Sequence, residues 1–198
     1  MRSLLFATFS LFASLPIAAG ERSLEQAVSL RTEQNVVSSL HLHWIHNFSY
    51  DYSTVILEDG SQWSIAYQDI ATLFGWRIGD SLLISKNDPW YKTPTHAFFL
   101  QNQATGGKVQ ANILLGPFEF GENSHWVIGI DRAHGILSLV SGRGLYSTWY
   151  VSDVEKMVWD DWAVNDTVIL GINDSWFTAY PTLLINVNQA STVRAQQI

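Results

Sequence analysis

Three tryptophans of this chain recur at one fixed spacing. Trp149 follows Trp63, Trp162 follows Trp76 and Trp176 follows Trp90, each by 86 residues. Ser61 and Ser147, Asp80 and Asp166, and Asn87-Asp88 and Asn173-Asp174 keep the same shift, as does Asn102-Gln103-Ala104 with Asn188-Gln189-Ala190. Tryptophan is rare, and three in one register without a gap point to a duplicated unit. His43-Trp44-Ile45 returns as His125-Trp126-Val127 only 82 residues on, so four residues are inserted before Ser147. The loop Ser141-Gly142-Arg143-Gly144 is the expected place for them. In the second copy Tyr146 matches Gly60, and Asn165 matches Gly79, where Asn tolerates positive φ.

Within a unit the pattern is β. Val55-Ile56-Leu57 is a β-branched run that ends at Glu58-Asp59-Gly60, a hairpin turn signal. Trp63 and Ile65 alternate with Gln62 and Ser64, which is period two. Tyr67–Trp76 reads as a short helical turn, as does 154–162 in the second copy. Further strands are expected at 81–85, 97–100 and 109–115, then at 136–140, 149–151, 167–172, 183–187 and 192–196. About six short strands per unit predict an all-β chain with minor helical turns. Its architecture is either two tandem SH3-like small barrels or one β-sandwich built from the duplicated unit. The expected organisation is a signal peptide over 1–20, a lead-in over 21–40, and β-domains over 41–122 and 123–198.

The signal peptide follows from Arg2, an apolar run over 4–15, and small residues at Pro16-Ile17-Ala18-Ala19-Gly20. The run is short for a membrane-spanning helix. No other long apolar run occurs, so no integral membrane segment is expected after cleavage. The expected location is the periplasm, the secreted fraction or the cell surface. No cysteine is present, so burial rather than disulfides must stabilise the exported chain. A net charge of −7 argues against nucleic acid, whose phosphates require a basic face.

Leu57-Glu58-Asp59-Gly60-Ser61-Gln62-Trp63, followed by Trp76-Arg77-Ile78-Gly79-Asp80, resembles a motif of uncharacterised exported proteins of chlamydia-like intracellular bacteria. The resemblance covers both copies, from about His41 to Ile198. It implies export and a duplicated β fold, and it implies no reaction.

Candidate site residues divide by whether they recur. Asp80, Asp166, Asp88 and Asp174 recur in predicted turns, where Asp bonds nearby backbone; a catalytic pair is needed only once. Ser61, Ser147 and Ser175 lie in no nucleophile elbow. His41 and His43 share one face of a strand and are weak metal candidates, since no third ligand is evident. No cofactor motif is present. Trp90-Tyr91 and Trp176-Phe177 each place two aromatics in a turn, where they either plug the barrel or form a binding surface for a sugar or protein partner. The sequence therefore favours a non-enzymatic binding or structural protein with no catalytic residue singled out. Alternatives are a glycan-binding module using the turn tryptophans and a hydrolase with its site in one copy. Where the copies disagree, at 91–96 against 177–182, at the Arg143 loop and at the histidines before Trp44, local function is expected.

Overall fold

The computed structural model describes residues 41–198, apart from Trp90, Trp176 and Phe177. The expected signal peptide and lead-in lie outside the described residues. The first six strands are β1 (His43–Phe48), β2 (Thr54–Leu57), β3 (Gln62–Ile65), β4 (Ser81–Lys86), β5 (Phe98–Asn102) and β6 (Lys108–Leu115). The second six are β7 (His125–Asp131), β8 (Ile136–Ser141), β9 (Tyr146–Val151), β10 (Thr167–Ile172), β11 (Thr182–Asn186) and β12 (Ser191–Gln197).

Each set closes on itself. The first runs β1-β2-β3-β6-β5-β4, and β4 returns to β1 through His43↔Leu82. The second runs β7-β8-β9-β12-β11-β10, and β10 returns to β7 through Val168↔His125. All pairings within a ring are antiparallel. The architecture is therefore barrel rather than open sandwich, and closure removes the exposed strand edges.

Period-two patterning fills each barrel. Ile45, Val55, Leu57, Trp63, Ile65, Leu82, Ile84, Leu100, Val109 and Ala111 point into the first core, on the inward faces that alternation dictates. Trp63 meets Phe98 edge-on at 5.5 Å, a favoured aromatic geometry. Val127, Leu137, Leu139, Trp149, Val168, Leu170, Leu184 and Val193 build the second core, together with Trp159 and Trp162. Trp63, Trp76, Trp149 and Trp162 are all buried.

The barrels share a seam. On β10 and β11, Ile169, Leu183 and Ile185 turn away from their own core and pack into the first one. That is why β11 is buried at every position. A single parallel pair, Ser85↔Ile172, joins β4 to β10. The approach is close: a Cβ on Gly171 would lie 2.7 Å from the carbonyl oxygen of Ile84.

The two halves make the same polar contacts. Asp80 Oδ2 accepts from Arg77 N and Asn102 Nδ2, and Asp166 Oδ2 accepts from Ala163 N and Asn186 Nδ2. Trp63 Nε1 donates to Ser61 Oγ, and Trp149 Nε1 to Ser147 Oγ. Asn87 Nδ2 donates to the carbonyl of His96, and Asn173 Nδ2 to that of Tyr180. Gly79 and Asn165 both have positive φ, 88° and 74°.

Two of the sequence matches shift. The partner of Asn102 is Asn186, not Asn188, because the β10–β11 connection is two residues shorter; Asn188 instead accepts from Thr167 N. The counterpart of Gly60 is Gly144, not Tyr146. Each donates to the residue that opens its hairpin turn, Leu57 or Ser141, at φ 87° and 76°. The β8–β9 hairpin accordingly has arms two residues longer each than the β2–β3 hairpin, around a turn of the same size. The helical turn expected over 154–162 is also shorter. A 3-10 turn spans Tyr67–Gly75 in the first half but only Asp153–Glu155 in the second, where Trp159 and Trp162 drop into the core.

Candidate functional site

Two places carry polar chemistry that the halves do not share. The first is at the seam. His43, on β1, is buried and uses both ring nitrogens: Nδ1 lies 2.8 Å from Glu58 Oε1, and Nε2 lies 2.8 Å from the carbonyl oxygen of Leu170 on β10. Both partners are acceptors, so the ring is held as an imidazolium. Burial alone pushes its pKa down, but the hydrogen bond and charge of Glu58, with help from Asp59 and Leu170, raise it to about 9. Glu58 Oε2 in turn accepts from Trp44 N at 2.8 Å. Asp59, beside it, accepts from Ser61 N, and burial raises its pKa. His125 occupies the matching register on β7 but behaves oppositely. Burial, and then the charge of His43, lowers its pKa to about 4. A cavity of about 160 Å³ opens here, lined among others by Glu58, His125 and Arg143. Arg143 is itself anchored to Asn123 Oδ1 at 2.7 Å.

This cluster ties the barrels together. A ring with both nitrogens committed to acceptors has no lone pair to offer a metal or a substrate proton. His41 is also buried, with Nε2 2.8 Å from Thr182 Oγ1 at the start of β11. The two histidines thus serve separate contacts across the seam, and no group of three metal-ligating side chains occurs among the described residues.

The second place is a cavity of about 690 Å³ over the β4–β5 connection of the first barrel. Tyr91 and Phe99 supply aromatic surface, Gln68 and Gln110 carboxamides, Lys86 and Lys92 ammonium groups, and His96 an imidazole. Pro89 and Pro94 stiffen its rim. Tyr91 is 65% exposed, and Lys92 Nζ lies 5.7 Å from its ring centroid. Of the other sequence candidates here, Trp90, Trp176 and Phe177 lie outside the described residues. The turn contacts expected of Asp88 and Asp174 would reach Trp90 and Trp176 and so lie outside the described residues. Asp88 is exposed, 3.8 Å from Lys86 Nζ, and Asp174 reaches Lys108 Nζ at 3.4 Å.

The second barrel lacks this constellation. At the 86-residue shift Lys86 is matched by Ile172, Lys92 by Thr178 and Gln68 by Val154, and His96 is matched by Tyr180, whose carbonyl likewise accepts from the equivalent asparagine. Tyr180 is instead stacked with Tyr150 at 6.2 Å. A third, larger depression of about 840 Å³ runs along the seam past Phe98, Ile113, Val158 and Val187, with Lys86 and Glu155 among its polar lining. Sequence reasoning flagged the segment 91–96 but missed Gln68, Lys86 and the role of Glu58. A signal was available: Lys86, Lys92 and Lys108 are three of the chain's four lysines.

Comparison of the chain with protein-family models, with curated proteins and with solved structures finds no match. Among the described residues, no helix is long and apolar enough to cross a membrane.

Proposed function

We propose that the chain is an exported, non-enzymatic binding protein of a bacterial envelope or host-facing surface, built on two barrels descended from one duplicated unit. One observation carries this reading. Three pairs of polar side chains common to both halves are spent on the same internal bonds in both, Asp80 like Asp166, Ser61 like Ser147 and Asn87 like Asn173. What remains for a ligand is the set that differs, and that set lines an open cavity rather than a nucleophile and its base. The leader-like first 20 residues and the resemblance to exported proteins support the location.

The test is to express the full chain in a Gram-negative host, fractionate the cells and sequence the mature N-terminus. Cleavage before Glu21 and recovery outside the cytoplasm are expected; an uncleaved cytoplasmic protein contradicts the location. The purified chain is then offered generic ester and glycoside substrates. Turnover that disappears in His96→Gln or Asp88→Asn, with melting unchanged, would replace the binding reading with a hydrolase.

A further inference from the structure

We propose that the cavity over the β4–β5 connection binds a short acidic saccharide, a sugar chain whose rings carry carboxylates. The inference rests on the binding reading above and assigns it a site and a ligand class.

Charge is the first argument. The chain has 18 acidic residues against 11 lysines and arginines, yet three of its four lysines gather at this face. Lys86 and Lys92 line the cavity together with one carboxylate, Asp88, and Lys108 sits 4.2 Å from the centroid of the lining residue Phe99. Lys86 and Lys108 have carboxylate neighbours, Asp88 and Asp174. Lys92 has none among the described residues and is exposed. A cation kept free of carboxylates in an acidic protein is a position for an incoming anion.

The other lining residues narrow the anion to a saccharide. An apolar anion would need a dry, apolar pocket, whereas this cavity is open and lined largely by polar side chains. The Gln68 carboxamide offers both a donor and an acceptor, the pattern that matches adjacent hydroxyls on one ring. Gln110, also in the lining, is held by its backbone N–H donating to Asp69 Oδ2 at 2.8 Å. Phe99 and Tyr91 add aromatic surface to the lining, against which the C–H side of a sugar can pack. A volume of about 690 Å³ is within the ~300–1,000 Å³ typical of small-ligand sites, enough for two or three linked rings.

The second barrel supports the assignment by contrast. At the same positions it has Ile172, Val154, Thr178 and Tyr180, which lack the cations and the carboxamide. One site per chain is therefore expected.

The experiment uses a galacturonic acid trimer and, as its neutral twin, a galactose trimer, titrated into the full mature chain by calorimetry and followed through the side-chain amide signals of Gln68. Saturable one-to-one binding of the acidic trimer, at least tenfold tighter than the neutral one, is expected. Lys92→Ala should weaken it about tenfold, while Lys156→Ala, on the opposite half, should leave it unchanged. Both lysines are exposed, so an unchanged melting temperature will show that the fold is intact. Equal affinity for the two trimers, binding untouched by Lys92→Ala, or no binding of either trimer overturns the inference. Recovery of a different partner through the same face would overturn it while leaving the broader binding reading in place.

Discussion

The buried pair His43–Glu58 should give the fold a distinctive pH profile. The folded pKa of His43, about 9, lies above its ordinary 6.5. Its contribution is therefore complete below pH 6.5, declines as pH rises through that interval, and is gone once pH passes the folded pKa. A shift of this size corresponds to about 3 kcal/mol, at ~1.4 kcal/mol per pH unit. His125 does the reverse on the acid side. Its folded pKa of about 4 lies below 6.5, so stability is lost as pH falls from 6.5 towards 4, again at up to ~1.4 kcal/mol per unit. These two groups place the maximum near pH 6.5, with a limb on each side. The assay is urea unfolding in pH steps from 5 to 10. His43→Gln should flatten the alkaline limb, and Glu58→Gln should flatten it too by removing the charge that holds the proton. His43→Gln also leaves Glu58 buried without its cation, which costs ~3–5 kcal/mol when a buried pair is broken from one side. If that variant does not fold, Glu58→Gln carries the test, and NMR titration of its His43 should show a pKa well below 9. A wild type whose stability is flat between pH 6.5 and 9, or variants that retain the wild-type slope, would refute the buried, protonated His43 as a stabilising group beside the seam.

Other consequences concern single positions. Trp162 Nε1 donates to Ser191 Oγ at 2.8 Å, whereas the matching Trp76 Nε1 is buried without a partner among the described residues; Gly107 stands where Ser191 stands. Trp162→Phe should therefore cost ~1 kcal/mol more than Trp76→Phe, the net value of a hydrogen bond, as measured by denaturant unfolding. Gly171→Ala would press a methyl group against the Ile84 carbonyl. Backbone cannot move aside like a side chain, so a loss of ~1–3 kcal/mol is expected, with a lower melting temperature. Gly60→Ala would add strain at φ 87° and drive its Cβ to 2.5 Å from the Phe118 ring; a loss of at least ~1 kcal/mol is expected by the same unfolding assay.

Much of the fold was legible because barrel interiors impose period two. Val55, Leu57, Trp63 and Ile65 alternate in sequence as they alternate in space. The turns were legible through Gly60 and Gly79, whose positive φ excludes most residues. The seam was not. Nothing local says that Ile169 and Ile185 face a neighbouring barrel, because a strand buried on both faces reads like any apolar run. The four extra residues of the β8–β9 hairpin read as part of its turn because a longer hairpin keeps its turn residues, and sequence sees only the count. Glu58 read as part of a hairpin turn, although its carboxylate reaches His43, 15 residues away. The binding face was half legible: Lys92 and His96 fell in a segment where the copies disagree, but Gln68 and Lys86 come from other elements that only closure of the barrel brings together.

The central claim is that residues shared by the halves hold the fold. Equilibrium unfolding of Asp80→Ala and Asp166→Ala tests it most directly, because each carboxylate accepts one backbone N–H and one asparagine amide. Each variant should lose ~1.5–3 kcal/mol, the range for hydrogen bonds to a charged group, and the two losses should agree within about 1 kcal/mol. Normal stability in either variant, or loss of ligand binding in one without loss of stability, would contradict the account.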